Sequence, residues 1–366
     1  DGRLMYIRIR PLYSKLVDAS ATQGVSCHQQ ATWEALRDPS VDAVINMAAT
    51  GDGKSYAAFG AFPEGGVLGL YPTNELVRDQ QRQLQVYQKN WRSQRVTGPD
   101  LDQWARLARQ SKAQTLLDLA DAEVLLTNPD LFYYLHQGNY AKDWDGEFGG
   151  LWHEIDENFR AIIFDEFHLY KPAQVSGILN TILMMRSVGL KHKLIFLSAT
   201  PNPYLYKALD QVGLNTVLID PSDHDCYRST SGPGWRQINQ PVDLTLIDED
   251  RAYGWIHKNA ESILDFWIKH PGSKGAIILN SVAAAKRAKN LLHPLFEKHG
   301  LTVSENTGFT GYEETQAAIK AALVVGTSTL DVGIDFRINW LLFEGHDAPS
   351  FIQRYGRLGR HPDFET

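Results

Sequence analysis

A glycine-rich loop that ends in lysine and serine is the first feature of the sequence that could do chemistry. The segment NMAATGDGKS, residues 46–55, follows an apolar run and precedes a helical pattern. Gly51 and Gly53 allow positive φ angles, so that backbone N–H groups can face a phosphate. Lys54 would reach the β- and γ-phosphates of a nucleotide, and the Ser55 hydroxyl would contact Mg²⁺. This pattern therefore predicts a nucleotide-binding loop.

The loop departs from the usual GxxxxGKS pattern at one position, because residue 48 is alanine. An ordinary glycine-rich turn is the alternative interpretation. The strand before the loop and the helix after it favour a nucleotide, since the positive end of the helix dipole would point at the phosphates. The residues of the loop that we predict to bind ATP are Thr50, Gly51, Asp52, Gly53, Lys54 and Ser55.

A second candidate site lies in the segment AIIFDEFHLY, residues 161–170, where an apolar run ends in two acids. A buried carboxylate without a cation is costly, so Asp165 and Glu166 must meet either water or positive charge. Ligands of open α/β sheets bind beyond the carboxyl ends of the strands, where the glycine-rich loop also lies. Asp165 would then hold Mg²⁺ at the phosphates, and Glu166 would orient or deprotonate the attacking water. The alternative is that both acids cap the next helix or lie in solvent.

The elements around these segments alternate between short apolar runs and helical patterns, which predicts α/β architecture with a parallel sheet. The apolar runs are nearly continuous, as expected of strands that are buried on both sides. The predicted strands cover residues 43–50, 67–73, 123–129, 161–167, 194–201, 242–248, 275–280, 322–329 and 339–345. The predicted helices cover residues 74–90, 101–120, 173–188, 203–212, 252–269 and 282–297.

A stretch rich in Ser, Gly, Pro and Asp, residues 221–240, interrupts this alternation and predicts a linker. The chain of 366 residues is too long for one ordinary core. We therefore expect two tandem domains, with residues 1–225 in the first, 226–240 in the linker and 241–366 in the second. We expect the second domain to be incomplete at its C-terminal end, because its last helix has barely begun there.

Composition limits the class of protein. A hydrophobic content of 43% and a charged content of 22% are typical of globular proteins. No apolar run approaches the roughly 20 residues of a membrane-spanning helix, so no membrane partner is expected. The net charge of −7 means that any nucleic-acid contact must be a local strip of positive charge. Cys27 and Cys226 lie far apart in the sequence, which argues against a disulfide scaffold and favours a reducing, cytoplasmic compartment.

Seven segments occur in an order that resembles the consecutive motifs of superfamily 2 helicases of the DExH group. They are AATGDGKS, YPTNEL, LLTNPD, DEFH, LSATP, VGTSTLDVGIDF and QRYGRLGR. The segments DEFHLYKPAQVSGILNTIL, LSATPNP, VSENTGFTG and GTSTLDVGIDF are similar to the helicase subunit of type I-D CRISPR systems. The resemblance implies two RecA-like doubly wound parallel-sheet domains, with ATP and Mg²⁺ as cofactors. It also implies 3′ to 5′ movement on single-stranded DNA.

The resemblance implies a role for individual residues at the nucleotide. Gln29 matches the glutamine that reads the adenine edge; the neighbouring Gln30 is one alternative, and a solvated helix start is another. Gly333 and Asp335 match a motif that faces both ATP and nucleic acid. The residues that match catalytic positions are Lys54, Asp165, Glu166, Gln353, Arg357 and Arg360, and the last two would reach the γ-phosphate.

Further residues match positions that couple ATP hydrolysis to nucleic acid or that hold the strand. The coupling positions are His168, Ser198 and Thr200, although a lone histidine is as often structural. The positions that suit phosphate oxygens are Thr73, Asn74, Thr127, Asn128, Thr327 and Ser328. The basic segment 78–95 could stack a base on Trp91 or Tyr87, but an amphipathic helix with a solvated charged face is the favoured alternative.

The expected partners follow from the same resemblance. Some type I helicases carry a fused HD nuclease, but His224-Asp225 and His346-Asp347 lie outside any helical domain that could hold one. We therefore expect this chain to lack the nuclease, and the type I-D resemblance implies an RNA-guided effector complex whose large subunit carries it. The alternatives are another superfamily 2 DNA-repair or RNA helicase, and a catalytically inactive nucleic-acid clamp.

Overall fold

The structure is a computed structural model. It describes residues 4–18, 24–87, 91–139, 150–189, 191–200, 203–249, 251–307, 318, 320–330, 337–345 and 347–358. The chain divides into two compact units, which we call the first unit, Lys15–Cys226, and the second unit, Asp1–Ser14 with Tyr227–Thr366. The sequence analysis instead assigned residues 1–14 to the first domain.

The strands, in chain order, are β1 (Leu4–Ile9), β2 (Leu12–Asp18), β3 (Val25–Ser26), β4 (Ala43–Asn46), β5 (Val67–Leu70), β6 (Ser93–Arg95), β7 (Val124–Thr127), β8 (Ala161–Phe164), β9 (Lys193–Leu197), β10 (Thr216–Ile219), β11 (Tyr227–Arg228), β12 (Trp235–Asn239), β13 (Val242–Ile247), β14 (Gly275–Ile278), β15 (Val303–Asn306), β16 (Leu323–Gly326) and β17 (Trp340–Phe343). The helices are α1 (Cys27–Arg37), α2 (Lys54–Gly60), α3 (Asn74–Tyr87), α4 (Gly98–Ala108), α5 (Lys112–Ala120), α6 (Pro129–His136), α7 (Gly150–Glu157), α8 (Pro172–Ser187), α9 (Pro203–Gln211), α10 (Ala252–Lys258), α11 (Ala260–Lys269), α12 (Val282–Glu297) and α13 (Ala348–Tyr355).

A parallel sheet forms the centre of the first unit. Among the described residues it has seven strands, in the order β10-β4-β9-β8-β5-β7-β6. Its two faces bury separate apolar clusters: Ile45 and Phe164 pack on one face, whereas Val44 and Ile163 pack on the other. Side chains alternate between the faces of a strand, and helices cover both faces, so the strands are apolar throughout. This confirms the predicted α/β fold with a parallel sheet.

The cysteines lie together in the first unit, and the expectation that they would not form a disulfide is wrong. Cys27 and Cys226 form a disulfide, with their Cα atoms 5.9 Å apart. Strand β2 brings them together, because Leu16 pairs with Ser26 on one side and the Lys15 N–H donates to the Cys226 carbonyl at 2.9 Å on the other. Separation in sequence did not reveal this pairing, since only the tertiary fold brings both sulfur atoms to β2.

The second unit contains a smaller parallel sheet. In the described part of the chain its order is β15-β16-β14-β17. Helices α10, α11 and α12 cover one face, where Trp267 and Phe296 are buried. Strands β1 and β13 form an antiparallel pair, from Leu4 opposite Ile247 to Ile9 opposite Val242. The unit therefore repeats the α/β design with fewer strands.

Several elements differ from those that periodicity predicts. The predicted linker contains β11 and β12, where the Arg228 guanidinium lies 4.0 Å from the centre of the Trp235 ring. The predicted helix 101–120 is two helices, because Arg109 takes a left-handed φ of 56° that ends α4 and the Ser111 side chain caps α5. No helix among the described residues is both long and apolar enough to span a membrane.

Candidate functional site

The glycine-rich loop connects β4 to α2 in the first unit. Gly51 and Gly53 have φ angles of 88° and 83°, in the left-handed region that favours glycine. A Cβ at Gly53 would lie 2.8 Å from the Gln29 amide nitrogen, so a larger residue would also displace that side chain. Helix α2 begins at Lys54, directly after Gly53. The loop thus presents a helix N-terminus at the carboxyl edge of the sheet, where an anion is stabilised.

Lys54 closes this loop, and Ser55 joins it to the acidic segment. The Lys54 ammonium donates to the carbonyl of Ala48 at 2.8 Å and of Ala49 at 3.3 Å. The Ser55 hydroxyl donates to Asp165 Oδ2 at 3.0 Å, although 110 positions separate the two residues. Strand β8 therefore delivers Asp165 to the loop.

The environment of Asp165 opposes its negative charge. Burial, and after it the neighbouring charge of Glu166, raise the pKa of the Asp165 carboxyl to about 7. Lys54, the Glu166 N–H and the Ser55 hydroxyl act in the opposite direction. Glu166 is only partly buried and takes a left-handed φ of 47°, a conformation that is uncommon outside glycine. The site therefore has a buried carboxylate that gains stability from an added cation.

The residues at this edge fit a magnesium ion. Mg²⁺ prefers oxygen ligands and is often held by one or two carboxylates together with substrate phosphates. The Ser55 hydroxyl and the Asp165 carboxylate supply such oxygens side by side. A bound divalent ion would also offset the buried negative charge that raises the Asp165 pKa. We therefore assign Ser55 and Asp165 as the residues that would hold it.

His168 connects the acidic segment to the end of β9. Its Nδ1 lies 3.0 Å from the Ser198 hydroxyl and 3.5 Å from Glu166 Oε2. The Ser198 hydroxyl also accepts from the Thr200 N–H at 3.2 Å. Burial lowers the pKa of the His168 imidazole, while Glu166 acts to raise it. Hydrogen bonds thus join the three predicted coupling residues, and Nδ1 of His168 also lies 3.5 Å from Glu166 Oε2.

Gln29 and Gln30 occupy different environments on α1. The Gln29 side chain is buried, and its amide points at the loop, 3.5 Å from the Asp52 carbonyl and 3.4 Å from the Gly53 carbonyl. Its Oε1 accepts from the Ser26 N–H at 2.9 Å, which caps the helix. Gln30 instead bonds to Glu34 on the outer surface at 2.6 Å. Of the two glutamines, only Gln29 lies at the loop; its contact with adenine stays a prediction.

Comparison with known proteins shows the family of the chain. The sequence profile described as DEAD/DEAH box helicase matches residues 26–208, which is half of the chain. The chain belongs to this helicase family. A second profile, described as the C-terminal region of the CRISPR-associated nuclease/helicase Cas3, matches residues 271–363. No curated protein matches the chain.

The fold is that of known helicases with two RecA-like domains. The DUF1998 helicase MrfA bound to DNA and AMPPNP superposes with a TM-score of 0.71 at 16% identity, over 98% of this chain and 52% of MrfA. Mycobacterium smegmatis Lhr bound to single-stranded DNA and AMP-PNP gives 0.60 at 18%, over 93% and 44%. Saccharomyces cerevisiae Dbp5 bound to RNA gives 0.62 at 15%, over 93% and 81%. This chain spans about half the length of MrfA and Lhr.

Within this helicase fold, the predicted nucleic-acid residues of the first unit lie at the same sheet edge. The Asn128 amide donates to Asn74 Oδ1 at 2.9 Å, which joins the ends of β5 and β7. Both segments also start helices, because Thr73 accepts from the Leu76 N–H and Asn128 accepts from the Leu131 N–H. The Thr127 hydroxyl is buried and donates to the Val96 carbonyl, so it stabilises the sheet.

The contacts of Trp91 bear on the hypothesis that segment 78–95 stacks a base. The Trp91 ring lies 6.3 Å from that of Phe59, and its indole N–H donates to the Pro63 carbonyl at 3.1 Å. Trp91 therefore packs against the core of the first unit. This contact argues against base stacking by Trp91, which lies outside α3.

The second unit contains the remaining predicted residues. Thr327 and Ser328 follow β16; Thr327 is buried, whereas Ser328 is exposed. Gln353 lies on α13, and Arg357 follows that helix. Gly333, Asp335 and Arg360 lie outside the described residues, as does His346. The roles of all these side chains stay predictions.

Arg354 and His28 were missed by the sequence analysis. Arg354 is buried on α13, and its guanidinium contacts Asn280 Oδ1 at 3.2 Å and the Glu344 carbonyl. It therefore secures the helix that carries Gln353. His28 is buried on α1 and contacts Asp52 in the loop. Its position directly before Gln29 was the only signal in the sequence.

Proposed function

We propose that this chain is an ATP-driven motor that moves 3′ to 5′ along single-stranded DNA in a type I-D CRISPR interference system. In this proposal it opens target DNA for an HD nuclease on the large subunit of an RNA-guided effector complex. The hydrogen bond between Ser55 and Asp165, beside Lys54 and Glu166, is the observation that carries the ATPase assignment. The Cas3-like match over residues 271–363 supports the CRISPR assignment.

The side chains of the first unit support a division of labour in hydrolysis. Lys54, at the start of α2, binds the phosphates together with the backbone N–H groups of the loop. Glu166, beside Asp165 and only partly buried, accepts a proton from the attacking water. Bound Mg²⁺ supplies electrostatic stabilisation of the charge on the phosphates. For Gln353, Arg357 and Arg360 the proposal keeps the roles that the helicase resemblance implies, in which arginines stabilise the transition-state charge.

The proposal also assigns the residues that bind nucleic acid and those that couple this binding to ATP hydrolysis. Asn74 and Asn128, together with Thr73, bind the backbone of the strand in the first unit, and Thr327 and Ser328 bind it in the second unit. His168 couples Glu166 to Ser198 and Thr200, a role supported by its 3.5 Å contact with Glu166 and its hydrogen bond with Ser198. Contacts of this kind are independent of base sequence, as a motor requires.

ATP turnover with separate nucleic acids tests this proposal. We expect single-stranded DNA to stimulate hydrolysis more strongly than RNA does. Replacement of Glu166 by Gln should lower kcat by about 10²–10⁴-fold, because the general base is lost, while nucleotide binding persists. Glu64→Gln is the matched control, since Glu64 lies at the opposite edge of the sheet and pairs with Arg160 at 2.9 Å.

Three outcomes would contradict particular parts of the proposal. Equal or greater stimulation by RNA would favour an RNA helicase, a role consistent with the similarity to Dbp5. Equal turnover by wild type and Glu166→Gln would favour an inactive nucleic-acid clamp. Failure of an RNA-guided complex to co-purify with the chain from its native host would refute the CRISPR assignment but not the ATPase.

A further inference from the structure

We propose that His28 is a positioning residue that holds the phosphate loop in its binding conformation through Asp52. The inference rests on the proposed ATPase function and extends it to a residue outside the predicted site. His28 lies on α1, and its Nε2 contacts Asp52 Oδ2 at 3.2 Å and the Asp52 carbonyl at 3.0 Å. The side chains of both residues are fully buried.

The hydrogen bonds around Asn46 determine which nitrogen of His28 carries the proton. The Ala48 N–H donates to Asn46 Oδ1 at 2.9 Å, which fixes the orientation of the amide. The Asn46 amide nitrogen therefore faces His28 Nδ1 at 3.0 Å and Thr32 Oγ1 at 2.8 Å, and it donates to both. Nδ1 is then an acceptor, so Nε2 carries the hydrogen and donates it to Asp52.

Three separate pieces of the first unit meet in this network. Asn46 is the last residue of β4, while His28 and Thr32 lie one turn apart on α1, where the Thr32 hydroxyl donates to the His28 carbonyl at 2.7 Å. Asp52 belongs to the loop. A buried polar network tolerates few alternative geometries, because each displaced group would lose a hydrogen bond in a dry environment. The network therefore fixes the loop relative to the strand and the helix.

The charge of Asp52 explains why the loop needs such a partner. Asp52 lies between Gly51 and Gly53, where a carboxylate that faced outward would repel a triphosphate. In the structure this side chain is instead buried against His28. The Asp52 N–H meanwhile donates to the Ala49 carbonyl at 3.2 Å, which closes the turn of the loop. His28 thus keeps a negative charge away from the phosphates and holds the adjacent Gly53 at the start of α2.

Two substitutions of His28 test its role as a positioning residue, because each puts an amide nitrogen near a different ring nitrogen of the histidine. In His28→Gln the amide nitrogen can replace Nε2 and still donate to Asp52, whereas in His28→Asn the shorter side chain reaches only the position of Nδ1. We expect His28→Asn to raise both the KM for ATP and the Kd for a fluorescent ADP analogue by about 10- to 100-fold. The reason is that the buried Asp52 carboxylate loses the hydrogen bond donated by His28 Nε2. His28→Gln should stay within about threefold of wild type on the same scale.

The kinetic pattern separates positioning from loss of folded protein. A partly unfolded preparation has a lower apparent kcat at unchanged KM, because the folded molecules still bind ATP normally. The control is His153→Gln, an exposed histidine of the same unit that also pairs with a carboxylate, Glu157, at 3.6 Å. Equal KM and Kd values for wild type, His28→Asn and His28→Gln would overturn the inference. Absence of ATP hydrolysis and of nucleotide binding in wild type would instead refute the proposed function.

Discussion

At the scale of single residues, the site holds two acids, Asp165 and Glu166, close together. A bound divalent ion would offset the repulsion between their charges. Asp165 is buried beside Glu166, and the charge of Lys54 acts on Asp165 in the opposite direction to that of Glu166. Burial favours the protonated form of Asp165, whereas magnesium binding requires the carboxylate. Ion binding and deprotonation of Asp165 should therefore be coupled. This coupling makes the stability of the protein depend on pH in a way that can be measured without any assay of activity.

The first prediction concerns Asp165 in the presence of a chelator. Its folded-state pKa of about 7 exceeds the ordinary value of 3.8, so the folded state holds this proton more tightly than the unfolded state. The resulting stability is fully present below the ordinary value and is lost as the pH rises to about 7. Asp165→Asn is always neutral and should not show this loss. At pH 7 and above it should exceed wild type by about 1 kcal/mol or more in urea unfolding.

The matched control for this measurement is Asp210→Asn, at an exposed position of α9. Its curve of unfolding free energy against pH should run parallel to that of wild type. If the Asp165→Asn curve also ran parallel to wild type between pH 4 and pH 7, the raised pKa of Asp165 would be refuted.

A second prediction concerns the contacts of His168 with Glu166 and Ser198. His168→Ala removes the link between Glu166 and Ser198 but leaves Lys54 and Asp165 in place. We expect stimulation of ATP hydrolysis by single-stranded DNA to fall by about tenfold, a usual size for coupling between sites. Hydrolysis without DNA should change much less. His153→Ala serves as the control, and an equal loss of basal and stimulated turnover would show that His168 acts in hydrolysis itself.

At the scale of elements, close approach between neighbouring segments determines where glycine is required. Gly326 ends β16, and a Cβ there would overlap the Asn306 carbonyl oxygen at the end of β15. The obstacle is backbone, which cannot move without disturbing the pairing of Asn306 with Gly326. Thr327 follows directly, so the same contact positions a predicted nucleic-acid residue.

Replacement of Gly326 by alanine should therefore destabilise the second unit by about 1–3 kcal/mol, the usual cost of forcing atoms into a packed site. Gly254→Ala is the matched control, since a Cβ in α10 would meet only Glu249 Oε1 at 3.7 Å. That change should be neutral or stabilise by up to about 1 kcal/mol, because alanine favours helix. Chemical unfolding of both variants measures the difference; equal stabilities would show that β15 and β16 adjust freely.

At the scale of the whole molecule, each compact unit gathers segments that are distant in the chain. The first unit is closed by the disulfide between Cys27 and Cys226, which joins residues 199 positions apart. The second unit takes β1 from the start of the chain and pairs it with β13. Both features depend on long-range pairing, which local sequence patterns do not reveal.

The disulfide gives a prediction at this scale. Cys27→Ser and Cys226→Ser should each lower the free energy of unfolding of the oxidised protein by about 2–4 kcal/mol, because the cross-link restricts the unfolded chain. In the presence of reductant, wild type should unfold at the same urea concentration as the two variants. Alkylation of unreduced protein followed by mass measurement checks the bond directly, and two modified thiols per folded chain would show that it is absent.

The sequence by itself determined the alternating α/β pattern, the glycine-rich loop and the order of the helicase motifs. These are local properties: buried parallel strands must be apolar, and a phosphate loop needs glycines before its lysine. It also located Asp165 at the end of a strand. Element boundaries were less accurate, since single caps at Arg109 and Ser111 divide what periodicity shows as one helix.

Only the tertiary structure decided which distant residues meet. It placed Ser55 on Asp165, His28 on Asp52 and Cys27 on Cys226. Each pair joins segments whose proximity depends on strand order in a sheet, and strand order is not encoded in any local pattern. For the same reason the buried network of His28 escaped the sequence analysis, although its neighbour Gln29 did not. The chemistry was visible in residue types, whereas the contacts that hold it in place depend on the fold.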